Sequence, residues 1–256
     1  MVCYSAGQSQ YRHHITAYNH EEFQFYRDER IFRQNDVSNI KVWQPFNGEL
    51  LRTIILDTVT PANIMHMAAT PDGSGIAEVD ALGRLRLWNF ADGRLVQLLD
   101  TLTNDLAMSP RSNVLVDVCF GTVKIWNLDT RQIMYTMSGF YNHPVYNQSG
   151  SMIMMNTSNK ATYYRTSDWT VLYSLNSNKT VIAFSPDDSL QIFADKNMLK
   201  IARASDGTVM HTVVAYSDYV QSIVFFPNGR QFATCSYNNT VKVWSTSLGL
   251  QWTVVL

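Results

Sequence analysis

Six histidines and three cysteines carry the metal-binding and nucleophilic chemistry open to this 256-residue chain. The histidines are His13, His14, His20, His66, His143 and His211, scattered over different segments without a metal-ligand spacing. His13 and His14 are adjacent, and neighbours on a strand point to opposite faces. Cys3, Cys119 and Cys235 are far apart and form no CxxC pair, so they read as reduced thiols. The carboxylates Asp72, Asp92, Asp129, Asp187, Asp188 and Asp206 sit in turn-like stretches, where Asx hydrogen bonding explains them without acid–base catalysis. Asp117 lies in the apolar run VLVDVCF and is accounted for by a solvent-facing alternation position. Cys119 has no partner His or Asn in a recognisable pattern and reads as a plain thiol. No GxSxG, HExxH, GxxxxGK[ST] or GxGxxG motif occurs. The reading is no catalytic residue, no metal and no cofactor.

The elements that would position any site are repeats. Short alternating strands end in a large aromatic: NIKVW (Asn39 to Trp43), RLRLW (Arg84 to Trp88), TVKIW (Thr122 to Trp126) and TVKVW (Thr240 to Trp244). Degenerate copies at ATYY (Ala161 to Tyr164) and LKIA (Leu199 to Ala202) fill the gap, giving marker spacings of 45, 38, 38, 38 and 42. Some sixteen residues before a marker lies a turn: TPDG (Thr70 to Gly73), SPRSN (Ser109 to Asn113), SPDD (Ser185 to Asp188) or FPNG (Phe226 to Gly229). Proline presets φ in such a turn, and the apolar runs on either side make it a hairpin. After the marker a second polar turn, such as ADGR (Ala91 to Arg94), leads into one more apolar strand.

Each unit therefore holds four short antiparallel strands, a to d. One such sheet cannot bury both faces, whereas sheets stacked radially can, which predicts an all-β propeller. The tryptophans on strand c fill the space between neighbouring sheets.

These units resemble the WD-repeat (tryptophan-aspartate repeat) family over essentially the whole chain, best in YVQSIVFFPNGRQFATCSYNNTVKVW (Tyr219 to Trp244). The chain is divergent. The family's Asp after the marker is replaced by Gln44, Asn89, Asn127, Arg165, Arg203 or Ser245. The family's Gly-His before strand a, and its Asp in the b–c turn, are joined by a buried relay. In the last repeat those places hold Ala215-Tyr216 and Asn238. The expectation is a propeller held mainly by apolar packing, without the relay.

The whole of 1–256 reads as one propeller domain. Its repeats run at approximately 19–57, 58–101, 102–138, 139–176, 177–214 and 215–256, after a preceding strand d within 1–18. The stretch HHITAYNHEEF (His13 to Phe23) aligns with HTVVAYSDYV (His211 to Val220), so residues 10 to 17 read as a strand d without partners. Two designs fit: six closed blades, or seven with strands a to c of the last one missing. Charge is balanced at a net −1, which argues against nucleic acid. No apolar run of membrane-spanning length or signal peptide is present, so an intracellular, cytoplasmic chain without membrane insertion is expected.

The resemblance implies a non-enzymatic scaffold, a monomer or a subunit of a hetero-complex, whose partners are other proteins. In propellers the d–a and b–c loops share one face. Aromatics there are candidate hot spots: Tyr141 and His143 in one d–a loop, Tyr216 and Tyr219 in another, and Tyr237 in a b–c turn. The dense run FQFYRDERIFR (Phe23 to Arg33) adds to the first repeat. Two alternatives stand beside this: a propeller enzyme or ligand-binding propeller with a site in the central channel, and a fragment of a larger WD-repeat protein. The first would need acidic or histidine side chains converging on the axis. Strand a offers His66 and Asp105.

Overall fold

The computed structural model describes residues 15–17, 21–26, 29–33, 39–43, 50–55, 64–176, 181–247 and 249–255. These residues form 25 strands, and no helix occurs among them. The chain divides into two compact units, Met1–Pro144 and Val145–Leu256.

In the first unit, one sheet contains β1 (Ile15–Ala17), β2 (Glu21–Tyr26), β3 (Glu29–Arg33), β4 (Asn39–Trp43) and β5 (Leu50–Ile55). The second contains β6 (Ile64–Ala69), β7 (Gly75–Asp80), β8 (Leu85–Asn89) and β9 (Leu95–Asp100). The third contains β10 (Thr103–Met108), β11 (Val114–Cys119), β12 (Thr122–Asn127) and β13 (Gln132–Ser138). The fourth sheet starts at the division between the units, with β14 (Asn142–Tyr146), and continues through β15 (Met152–Asn156), β16 (Lys160–Arg165) and β17 (Val171–Asn176). The fifth contains β18 (Ile182–Phe184), β19 (Leu190–Asp195), β20 (Met198–Arg203) and β21 (Val209–Val214). The sixth contains β22 (Val220–Phe225), β23 (Gln231–Ser236), β24 (Thr240–Ser245) and β25 (Leu250–Val255).

Each sheet is a meander of consecutive strands, as the repeat requires. The first carries a fifth strand, because β1 pairs antiparallel with β2. The described part of the expected N-terminal strand d thus extends the first sheet. Residues 10 to 14 of that expectation, and the side chains of Phe23 to Arg33, lie outside the described residues.

One irregularity repeats in all six sheets. The ladder between strands c and d shifts register one step before the marker: at Val42/Trp43, Leu87/Trp88, Ile125/Trp126, Tyr163/Tyr164, Ile201/Ala202 and Val243/Trp244. A bulge there bends the outer strand and sharpens the twist. Tyr164 and Ala202 share it, so the two degenerate copies occupy the marker position in three dimensions.

Burial follows strand order. Every residue of β7 is buried, because a middle strand is covered on both faces, whereas all but one residue of β13 is exposed. The apolar clusters lie between sheets. Trp88 packs with Ile40 and Ile54 of the preceding sheet, and Trp126 with Leu85 and Leu87. Trp244 packs with Ile192 and Ile201. Where the fifth repeat has Ala202 in place of tryptophan, Phe184, Phe193 and Tyr163 supply the volume. Tyr163 stacks on Tyr173 at 4.3 Å and meets Phe184 edge-on at 6.4 Å.

Turns between strands a and b also reach across sheets, one repeat apart. Asn113 Nδ2 donates to Asp72 Oδ2 at 2.9 Å. In the second unit Asp188 accepts from Gln148 N, Ser149 N and Asn147 Nδ2 at 2.7, 2.8 and 3.0 Å. Asp72 also does the turn work expected of it, accepting from Ser74 N at 3.0 Å, whereas in the SPDD turn Asp187 does that work and Asp188 staples the neighbouring repeats.

Gly93 shows how close the sheets come. Its φ is +73°, and a Cβ there would lie 2.7 Å from Ile54 Cγ2 and 2.9 Å from the Ile55 carbonyl. Gly229, at φ +65°, would meet nothing nearer than 3.6 Å. Gly229→Ala is expected to cost roughly 1–2 kcal/mol from backbone strain alone. Gly93→Ala should cost at least about 1 kcal/mol more, because backbone must move. Parallel guanidinium titrations check this, and equal losses would show that the first two sheets separate freely.

Candidate functional site

Strand b and strand c meet in a buried polar network in each tryptophan-bearing repeat whose side chains are described. The basic residue two before the tryptophan (Arg86, Lys124 or Lys242) stands opposite Glu78, Asp117 or Thr234 in the ladder. That opposite residue accepts the indole N–H. Trp88 Nε1 donates to Glu78 at 2.9 Å, Trp126 Nε1 to Asp117 at 3.2 Å and Trp244 Nε1 to Thr234 Oγ1 at 2.8 Å.

A second group completes each network. In the second sheet Arg86 binds both Glu78 oxygens at 3.0 and 2.9 Å and Asp80 at 2.9 Å. Arg84 Nε adds a bond to Asp80 at 2.6 Å. In the third, Thr103 Oγ1 donates to Asp117 at 2.8 Å, and Lys124 pairs with Asp100. In the sixth, the Tyr216 hydroxyl lies 2.7 Å from Thr234 Oγ1 and 2.8 Å from the Thr234 carbonyl. Lys242 donates to the Ala215 carbonyl and stands 4.6 Å from the centre of the Tyr216 ring.

Two expectations are corrected by these contacts. The relay is rebuilt rather than lost: Tyr216 and Thr234 in the last repeat, and Thr103 and Asp117 in the third, answer the tryptophan through different side chains. Asp117 does not face solvent. It is fully buried and hydrogen-bonded, because strand b is covered on both faces. Burial raises its carboxyl to about 6, against the Thr103 and Trp126 hydrogen bonds and helped by Asp100. Burial also pushes Glu78 up despite Arg86.

Asp100, Asp117 and Cys119 bring their ligand atoms within 4.8 Å of one another. The cation in this cluster is the Lys124 ammonium. Burial disfavours the Asp100 carboxylate, but the hydrogen bonds from Lys124 and Thr101 outweigh it and hold Asp100 below its ordinary value. Burial and the two carboxylates push the Cys119 thiol up, so it stays a neutral donor, 3.3 Å from Asp117. A thiol in that state suits neither nucleophilic attack nor metal binding.

The proposed surface aromatics separate into different roles. Tyr216 is buried, with its hydroxyl bonded as above, so it is a core residue and leaves the surface set. Tyr219 and Tyr237 remain on the surface, 54 % and 53 % exposed. They are side by side, because Tyr237 N donates to the Tyr219 carbonyl at 3.1 Å. Asn238 Nδ2 holds the same b–c turn to Ser217 at 3.0 Å. Tyr141 is half-buried and lies against Gly139.

Sequence reading passed over four apolar residues at the corresponding loops of the first unit. Leu82 and Phe120 stand in b–c turns and are 66 % and 76 % exposed, and Leu102 and Phe140 in d–a connections are 64 % and 76 % exposed. Thr103 N donates to the Gly83 carbonyl at 2.9 Å, which sets Leu82 beside Leu102. Gly139 N donates to the Gly121 carbonyl at 3.0 Å, and the Phe140 ring lies over Gly121. The two pairs repeat at 38 residues, the period that could have revealed them.

His143 is mostly exposed and does not stand alone. Its backbone N–H donates to Asp105 Oδ2 at 3.0 Å, and its Nδ1 lies 3.5 Å from the same oxygen. His66 Nδ1 lies 3.8 Å from Asp105 Oδ1. Histidines read from the sequence as scattered are thus gathered on one carboxylate.

Six in-phase antiparallel sheets, each with a bulge at its marker and loops at a common end, define the WD-type propeller class of all-β repeat protein. Residues 207–245 match the family model described as WD domain, G-beta repeat. That match and the repeated four-stranded sheets are what this chain shares with WD-repeat proteins. The chain is 30 % identical over 67 residues to the mouse intraflagellar transport protein 122 homolog, and 31 % identical over 67 residues to the human one. The frog protein of that name, from Xenopus tropicalis, is 30 % identical over 67 residues. Each match covers 26 % of this chain but only 5–6 % of the relative's length. Among the described residues no helix is long and apolar enough to cross a membrane.

Proposed function

We propose that this chain is a non-enzymatic protein-interaction platform, an intracellular subunit of a larger assembly. The observation that carries the reading is the apolar set Leu82, Leu102, Phe120 and Phe140, held in water at the b–c and d–a loops of the first unit. Exposed apolar side chains of this size gain free energy when a partner covers them, at about 25 cal/mol per Å². The loops are fixed by backbone hydrogen bonds to each other, so little ordering entropy is lost on docking. The relatives named for intraflagellar transport suggest the class of assembly, a multi-protein transport complex.

The test is affinity capture from source cells, read by mass spectrometry, with the intact chain beside a Leu102→Asp, Phe140→Asp variant. Both residues are exposed, so the fold should survive. Transport-complex subunits recovered with the intact chain and reduced at least tenfold in the variant are the expected result. Equal recovery from both would remove this surface from the reading. Tyr219 and Tyr237 provide a second, separate arm in the second unit. A Tyr216 variant is unsuitable, because losing that buried ring opens a cavity.

A further inference from the structure

β21 is the outer strand of the fifth sheet and pairs on one side only, with β20. Such an edge presents a row of unpaired N–H and C=O groups, which proteins usually protect with lysine, proline or a very short strand. β21 has none of these protections. Its sequence VMHTVV carries no lysine, arginine, carboxylate or proline, and four of its 6 residues (Val209, Thr212, Val213 and Val214) are β-branched. Val209, Met210 and Val214 are 45 %, 42 % and 68 % exposed, and His211 and Thr212 are exposed between them. Three other outer strands differ. β9 ends in Asp100, and β13 has only Ile133 and Thr136 as β-branched residues. The turn at Gly207 lies against Tyr173 and Leu175 of β17.

We propose that this edge pairs with the same edge of a second copy of the chain, antiparallel, about a two-fold axis at Thr212. The ladder inside the sheet sets the register. Ala215 N donates to the Asn197 carbonyl at 2.9 Å, so those two residues form a hydrogen-bonded pair. Alternation along an antiparallel ladder then turns the backbone groups of Val213 and His211 toward β20 and leaves those of Thr212 and Val214 on the outer edge. Outward residues must meet outward residues across a new ladder. An axis at Thr212 satisfies this, with Thr212 opposite its own copy. His211 then falls opposite Val213, and Met210, the extra residue of the bulge at Ile201/Ala202, falls beside Val214. One face carries a pair of hydroxyls between two Met–Val contacts, a stripe complementary to itself. The charges nearest the edge are closed within the sheet, Lys200 on Asp195 at 3.0 Å and Arg203 on Asp206 at 2.6 Å. β21 thus brings no like charges together at the axis. A contact of one strand edge is smaller than the roughly 800 Å² per partner of a stable complex, so the dimer forms reversibly with concentration.

Sedimentation equilibrium of the whole chain over a wide concentration range tests the pairing, and a monomer–dimer equilibrium is expected. Thr212→Lys sets two ammonium groups opposite each other at the axis, and Thr212→Glu sets two carboxylates there. Each should weaken the dimer at least about tenfold. Mixed together, the two variants should restore it, because opposite charges then meet across the axis. Lys200 stands opposite Thr212 within the sheet, so unfolding midpoints of the variants are measured alongside. Val214→Lys, with Met198 opposite, is the second variant and should also weaken the dimer. It decides the matter if either Thr212 variant does not fold. A chain that stays monomeric at every concentration, a dimer indifferent to the variants, or no restoration on mixing folded variants overturns the proposal. With a monomeric chain, a protein captured by the parent but not by Val214→Lys would assign the edge to a different chain's strand.

Discussion

Arg86→Ala is expected to lower the unfolding free energy by roughly 3–5 kcal/mol, the cost of leaving a buried charge without its partner. Arg86 makes the bidentate contact to Glu78 and reaches Asp80. Glu78 has full burial on strand β7, and the Trp88 indole is its other donor. Asp80 keeps Arg84, so the loss falls mainly on Glu78. Arg86→Lys retains the charge but not the fork, and should cost less. Guanidinium unfolding at pH 7, followed by circular dichroism, measures both. Because burial already pushes Glu78 up, acid neutralises the stranded carboxylate, and the Arg86→Ala deficit should narrow as pH falls. A deficit below about 1 kcal/mol at pH 7 would mean that water reaches Glu78 when the guanidinium is gone.

The second large effect is a pH dependence in the third sheet. Asp117 has a folded pKa of about 6 against an ordinary 3.8. The folded state therefore binds the proton more tightly. The stability this contributes is complete below the ordinary value and is lost as pH rises through about 6, a change on the order of 2–3 kcal/mol. Asp100 runs the other way. Its lowered value supplies stability above the ordinary carboxylate range that is lost only in more acid solution. Glu78, also raised, acts in the same direction, so the window between about pH 4 and 7 holds both groups. Asp117→Asn removes one of them and should make the slope shallower, so the variant gains on the parent as pH rises across the window. Unfolding free energies of both chains from pH 4 to 7.5 test it. A constant difference between them would show that Asp117 ionises normally.

Both effects arise from the same strand-b position, which was the least legible part of the sequence. Alternation in VLVDVCF assigns Asp117 to a solvent face only if strand b has one. A middle strand between two neighbouring sheets has none. The relay was missed for a related reason. A search for histidine and aspartate at the family's places cannot find a threonine or glutamate that accepts the indole N–H from a different point in the ladder, or a tyrosine bonded to that threonine. Tyr216 illustrates the cost: a loop aromatic in the sequence, it is a relay member in the structure.

The sequence by itself determined the repeat, its phase and the four-stranded unit, because turn chemistry, strand alternation and the marker aromatic are local and recur at a nearly fixed spacing. It also placed the b–c and d–a loops at a common end, since a meander of four strands leaves them nowhere else to go. Only the tertiary structure decided which side chains meet between repeats. Glu78 with Arg86 and Trp88, Leu82 with Leu102, and Asp105 between His66 and His143 are contacts across strands or sheets. Their partners lie up to a full repeat away along the chain, and the packing of one sheet on the next, not any local preference, sets the distance between them.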